Sequence, residues 1–386
     1  MDKRLLEIRQ GITGNNSSLG VVSAISKYFD VEPKYDADEE TYNYLVERQP
    51  RNVVLMILDG LGSYNLDLAL KEGDFLYDFK VKDLKTVFPP TTVAATGMLH
   101  TAKLPADTNN LGWYSYSEQD QSKILTFGRC LPDRTPANLT DREREELALD
   151  LLTERISKVE NCVSHEVSNF GDIHIDTFEE ECKKIAELCT NNLDKKQYLY
   201  CYWTEPDKLM HALGVDNKFI YENIRHLQKM IVDNLLEVPN TVLLILADHG
   251  HINNEPILLT DFKDVSDLVD LKKSAIDQRC ISFFVKKPED KKLFFERFNH
   301  YFSKEFMLIS KDEAMESQIF GDIKKGSIAE RSLGDFVAIS LTNKTLALSE
   351  SDLEFKGIHS GFTKEEFYVP LILFSSIEWN FIVDRL

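Results

Sequence analysis

VVLMILDGLG, residues 53–62, decides the architecture. Six apolar residues run without a polar interruption and end in Asp59-Gly60. A run of that length bounded by a turn signal reads as a strand buried on both faces, the pattern of a parallel sheet covered by helices. An Asp directly after such a strand lies at the carboxyl edge of the sheet, where open α/β folds bind ligands. Two more segments read the same way. QYLYCYW (197–203) is aromatic and β-favouring and leads into Glu205-Pro206-Asp207. TVLLILA (241–247) is continuous and apolar and ends in Asp248-His249-Gly250. FYVPLILF (367–374) is a fourth strand, with Pro370 pointing to an edge or a bulge. Helical spacing is expected over 141–159 and over 216–236, where Ile220, Ile224, Leu227, Ile231 and Leu235 share one face.

Residues 1–48 read as a polar, helical N-terminal segment with a Gly-Asn-Asn-Ser-Ser break at 14–18. The stretch 261–342 is charged and Lys-rich and reads as an inserted subdomain, with a strand at 281–285, a helix at 289–302 and a strand at 336–341. Segments 49–260 and 343–386 then make up the catalytic core.

The 386 residues are 43% hydrophobic, ample for a large core, and the formal charge is −19. Such a balance repels nucleic-acid polymers, while a small phosphate-bearing substrate stays compatible if bound cations invert the local field. The longest apolar runs are far short of a membrane span, and the first residues lack the apolar stretch of a secretion signal. The six cysteines form no CxxC pair. Free thiols and a cytoplasmic location are the expectation. Homo-oligomerisation stays open.

The chemistry-bearing residues gather around these strand ends. Adjacent Asp248 and His249 after a buried strand cost desolvation energy that a cation would offset. Asp207 and His211, four apart, share one face if helical, as two ligands of one ion require. His359 sits between Gly357 and Gly361, which permit close backbone approach. Three imidazoles with Asp59, Asp207 and Asp248 form a mixed N/O donor set suited to two divalent ions, zinc first and manganese as the alternative. In FPPTTVAATG (88–97) a threonine at a helix start could act as a metal-activated nucleophile. Thr91 and Thr92 are both open at this level, one of them being a capping residue. His251 is close in sequence but reads as lying outside the ligand set. Trp113 and Tyr114 could stack on an aromatic leaving group but read more naturally as core.

The ordered blocks LDGLG (58–62), FPPTTVAAT (88–96), PDKLMHALG (206–214), ADHGH (247–251) and GIHSGFTKEEFYVPLI (357–372) resemble the type I phosphodiesterase/nucleotide pyrophosphatase family of the alkaline phosphatase superfamily. FGDIKKGS and RSLGDFVAIS, within 320–340, resemble its bacterial branch, so the resemblance spans roughly 50–386. It implies an alkaline phosphatase-like three-layer α/β/α sandwich. It implies Thr92 as nucleophile. It implies one zinc-type ion held by Asp59, Thr92, Asp248 and His249, and a second held by Asp207, His211 and His359. Thr101-Ala102 and Asn109-Asn110 stand where the family usually has Thr-Gly and His-Gly. The absence of Arg or Lys between Thr86 and Leu99 favours diesters or pyrophosphates over monoesters. The implied activity is hydrolysis of a small phosphoester or nucleotide-like substrate through a phosphothreonine. The alternatives are a phosphomonoesterase, phosphonate hydrolase or phosphomutase on the same scaffold, and a non-catalytic metal-containing binding protein.

Overall fold

The computed structural model describes residues 2–377; the last part of the expected core segment, 378–386, lies outside the described residues. Among the described residues the centre is a seven-stranded sheet. Its strands, in spatial order, are Lys80–Lys85, Tyr368–Ser375, Thr241–Leu246, Asn52–Leu58, Lys196–Trp203, Cys162–Ser168 and Ile173–His174. The last five run parallel. The strand Tyr368–Ser375 is antiparallel to both its neighbours.

All three strands read from apolar runs lie side by side at the middle, with Leu58 opposite Trp203 and Ile57 opposite Leu246. Every residue of the 52–58 and 241–246 strands is buried, the signature of a sheet covered on both faces. Helices Ser63–Ala69, Phe178–Asn191 and Lys218–Leu235 pack together, and helices Ser18–Tyr28, Thr92–Thr101 and Leu152–Ile156 form a second group. The result is a three-layer α/β/α sandwich. The five apolar positions expected on one face of the 218–235 helix are its buried residues. Pro370 sits where its strand pairs with 80–85 on one side only, next to a register irregularity at Leu371/Ile372, so no ladder donor is missed.

Three expectations change. The helix over 141–159 is two short helices, Asp141–Glu146 and Leu152–Ile156. Burial decides this: the intervening turn buries Leu147 and Leu152 on either side while freeing Leu149 and Leu151 to line a cavity. The N-terminal segment is helical at Lys3–Gly11, Ser18–Tyr28 and Glu39–Arg48, but it is far from polar throughout. Leu5, Ile8, Val21, Val22, Ile25 and Phe29 join the main core. Between 261 and 342, strands Cys280–Phe283, Phe336–Ser340 and Phe306–Ser310 form an antiparallel sheet beside helix Lys291–Phe302, a little shorter than the spans expected. Phe283, Phe294, Phe298, Phe302 and Phe306 build a separate apolar cluster there. At the neck of this stretch, Glu255–Leu258 pairs in parallel with Lys344–Ala347. All six cysteines are free. No helix among the described residues is long and apolar enough to cross a membrane.

Candidate active site

Three adjacent strand ends deliver the acidic groups. Asp59 follows the central strand, and its backbone N–H donates to the Trp203 carbonyl at 2.9 Å. Asp207 opens the helix Asp207–Leu213, which also carries His211 one turn later, as their spacing requires. Its backbone N–H donates to the Asp59 carbonyl at 2.9 Å, tying the two strand ends together. Asp248 and His249 follow Thr241–Leu246. Asp248 Oδ1 accepts from the Gly60 N–H at 3.0 Å and the His249 N–H at 2.9 Å, so one carboxylate oxygen is spent on holding the turn.

His249 Nε2 lies 3.1 Å from Thr92 Oγ1, 3.4 Å from Asp59 Oδ1 and 3.5 Å from Asp248 Oδ2. These four atoms converge. Asp59 Oδ1 and Asp248 Oδ2 are buried and have no hydrogen-bond partner among the described residues, a costly state for carboxylate oxygens unless a cation faces them. The other Asp59 oxygen accepts a short hydrogen bond from the Tyr202 hydroxyl. Burial, with Asp207 and Asp248 alongside, pushes the Asp59 carboxyl well above the usual range, and burial also raises Asp248.

A second cluster surrounds Asp207 Oδ1. The Nε2 atoms of His251, His211 and His359 lie 2.5, 3.4 and 3.7 Å from it. Asp207, His211, His251 and His359 all bring a ligand atom within 4.8 Å of one another. His211 Nδ1 donates to the Gly357 carbonyl at 2.9 Å and His359 Nδ1 to the Pro90 carbonyl at 3.2 Å. Those bonds leave Nε2 as the free lone pair, the arrangement of a metal-binding imidazole. Burial opposes ionisation of Asp207, yet His211 and His251 hold its carboxyl well below the usual range. Burial pushes His251 down to about 3 and, with His249, carries His359 well below its ordinary value. The clusters touch: the His249 and His359 rings stack with centroids 3.7 Å apart, and Asp59, Asp207 and His249 form a second group of donors within mutual reach. Both donor sets therefore fit divalent cations.

The geometry separates the two threonines. Thr91 is the N-cap of helix Thr92–Thr101, but its hydroxyl donates to Asp277 Oδ2 at 2.5 Å rather than capping the helix. Thr92, at the first turn, is the one that faces His249. All seven residues singled out as ligands come together, from five separate stretches of chain. Ala102 and Asn109, where the family pattern departs from glycine and histidine, both have left-handed backbone, with φ of 55° and 58°.

The loop bearing His359 is clamped from below. Arg279 and Glu366, both fully buried, pair through Nε–Oε1 at 2.7 Å and Nη2–Oε2 at 2.8 Å. Glu366 Oε1 also accepts the Gly361 N–H, and the Glu366 carbonyl accepts the Gly250 N–H at 2.9 Å. Ser360 holds a left-handed φ of 88°, and its hydroxyl accepts from the Arg279 N–H. A Cβ at Gly250 would run into the Glu365 carbonyl.

Sequence reasoning set His251 aside, and the structure buries its ring against Asp207. Tyr202, Asp277, Arg279 and Glu366 were also missed; the His-Gly-His spacing of 249–251 was the one usable signal among them. Trp113 is not core: it is 45% exposed and lines both cavities that flank Thr92. One cavity, about 540 Å³, has Asp277, Asp352, Glu354 and Phe355 in its wall. The other, about 640 Å³, is walled by Phe127, Leu149, Leu151 and Phe170, with Lys208 at its margin.

The sequence model of the type I phosphodiesterase / nucleotide pyrophosphatase family matches residues 108–361. The chain belongs to that family. Solved structures agree on the fold. Human ectonucleotide pyrophosphatase/phosphodiesterase 5 is 17% identical, with a TM-score of 0.62 over 83% of this chain and 87% of that one. An inactive form of the murine enzyme in complex with AMP gives 16%, 0.61, 83% and 87%. Phosphonoacetate hydrolase from Sinorhizobium meliloti 1021 in complex with phosphonoformate gives 16%, 0.57, 84% and 90%. No curated protein matches by sequence. The family member is thus a hydrolase of the alkaline phosphatase superfamily with two candidate metal-ligand groups.

Proposed function

We propose that this protein hydrolyses phosphodiester or pyrophosphate bonds of a small substrate through a phosphothreonine on Thr92, with two zinc-type ions as cofactors. Asp59, Thr92, Asp248 and His249 would hold one ion, and Asp207, His211 and His359 the other. When bound, the ions supply a lowered hydroxyl pKa and neutralise charge building on the phosphoryl oxygens. The observation that carries this reading is the Thr92 hydroxyl, 3.1 Å from His249 Nε2 and open to two cavities.

Thr92 gives up its proton to solvent, and its oxygen attacks phosphorus as the P–O bond to the leaving group breaks, the leaving oxygen keeping the bonding pair. Water then attacks phosphorus, the Oγ1–P bond breaks, and Oγ1 takes back a proton as the phosphate product leaves. His249, with Nε2 3.1 Å from Thr92 Oγ1, sets the position of the reacting oxygen, and Asp59 and Asp248 would hold the ion beside it, so that positioning and charge do most of the work. Two cavities that share Thr92 in their linings suit a phosphorus carrying more than one group, which favours diesters over monoesters. The segment 261–342 acts as a flanking lobe, since it contributes Asp277 and Gln278 to the acidic wall.

In metal-loaded Thr92→Ala, turnover of bis-p-nitrophenyl phosphate should fall at least about 10⁴-fold, as when a covalent nucleophile is removed, while zinc content stays near wild type. Residual activity within tenfold of wild type overturns the nucleophile. Wild type should prefer the bis ester to p-nitrophenyl phosphate, and the opposite preference would favour a monoesterase.

A further inference from the structure

We propose that His251 is a metal ligand, its Nε2 joining Asp207, His211 and His359 to give the second cation four protein donors. The inference rests on the two-metal reading above and goes beyond the three-donor set that the family resemblance supplies.

Three imidazole nitrogens face one carboxylate oxygen, Asp207 Oδ1. In His211 and His359 the Nδ1 proton is committed to a backbone carbonyl, so the Nε2 lone pair points at the anion. One oxygen cannot satisfy both through hydrogen bonds, whereas a cation among them satisfies every group. His251 Nε2 is the nearest of the three to that oxygen, at 2.5 Å.

Nothing else in the site employs the His251 ring. It is fully buried, and its Nδ1 has no hydrogen-bond partner among the described residues. The backbone fixes its position instead. The His251 N–H donates to Asn65 Oδ1 at 3.0 Å, and Asn65 Nδ2 donates to the His251 carbonyl at 3.1 Å. Gly357 packs close enough that a Cβ there would sit 3.2 Å from Nδ1. The chain thus places an imidazole, fixed by a main-chain clasp, inside a donor set. His249, two residues back across Gly250, serves the other cluster, so one His-Gly-His turn supplies both ions.

Four protein donors close a zinc-type site, whereas three leave it open. The Asp207 cluster should therefore fill first and empty last. Full-length apoprotein titrated with Co²⁺ tests this. The first equivalent should give the intense visible bands of a four-coordinate N/O site. His251→Ala should weaken that first equivalent by more than about 100-fold, beyond what loss of an outer hydrogen-bond partner costs, and should dim the bands, with the other site changed only a few-fold. A smaller loss with unchanged bands would make His251 a hydrogen-bonding support for Asp207 and overturn the proposal. Should His251→Ala fail to fold, wild type decides alone. The dicobalt protein should show four hyperfine-shifted exchangeable imidazole N–H signals, and three would overturn it. The two readings fail separately. Four signals without phosphoester turnover would sink the activity and leave His251 standing; metal-dependent turnover with three signals would do the reverse.

Discussion

The two donor clusters share one sheet edge yet are built differently. The cluster at Thr92 is carboxylate-rich and local. Asp59 and Asp248 come from adjacent strand ends, and backbone N–H groups of Gly60 and His249 fix one of its oxygens. Its unpartnered atoms are oxygens. The cluster at Asp207 is imidazole-rich and assembled from a helix, a turn and a distant loop. His211 and His359 are oriented by backbone carbonyls, and the loop bearing His359 is clamped by the buried Arg279–Glu366 pair. The first is preset by the sheet, whereas the second depends on long-range supports. Damage to those supports should reach the clusters unequally.

Gly250 lies between the two histidines and is shared, so Gly250→Ala should have the largest effect. Its Cβ has no room at the Glu365 carbonyl, and a loss above about 4 kcal/mol, at the exceptional end for single substitutions, should appear in denaturant unfolding with both metals released. Wild-type stability would mean the turn can move. Next comes Glu366→Gln, which leaves the Arg279 charge buried and uncompensated at a cost of about 3–5 kcal/mol. Metal analysis should show the Asp207 cluster emptied in preference to the other; equal loss from both would erase the contrast. Tyr202→Phe acts on the opposite cluster alone. It removes the hydroxyl from Asp59, and competition with a chelator should show about 10–100-fold weaker binding there, with the imidazole cluster unchanged.

The last effect belongs to a residue in neither cluster. Glu181, on helix Phe178–Asn191, is fully buried with both carboxylate oxygens unpartnered among the described residues, and burial raises its pKa well above 4.5. The folded state therefore binds its proton more tightly than the unfolded chain. Its contribution is present below pH 4.5 and is lost as pH rises through the folded value, at up to about 1.4 kcal/mol per pH unit. Glu181→Gln should be more stable than wild type at pH 8, with the gap closing toward pH 5 and metal content unaltered. Parallel pH profiles for the two proteins would contradict this.

The central strands were legible because they are nearly continuous apolar or aromatic runs, whereas Lys80–Lys85, Cys162–Ser168 and Ile173–His174 are too polar or too short to stand out in the sequence. Asp59, Asp248 and His249 were legible for the same reason, standing where those runs stop. Asp207 and His211 followed from helical spacing. His359 had only flanking glycines and the family resemblance to mark it, since the loop that brings it in closes over a long stretch of chain. Tyr202 was hidden inside a strand, where alternation does not reveal which face meets a site. His251 was set aside because only the Asn65 clasp and the turn at Gly250 direct its ring toward Asp207. Arg279 and Asp277 come from the charged segment, whose composition says nothing of the cavity it borders. The break at 147–151 was missed because helical spacing alone does not show that Leu149 and Leu151 face a cavity.

The most direct test is anomalous diffraction at the zinc edge from crystals of the zinc-loaded protein. Two peaks about 4 Å apart are expected, one among Asp59, Thr92, Asp248 and His249 and one among Asp207, His211 and His359. A single peak, or two peaks with Thr92 Oγ1 turned away from both, would contradict the account.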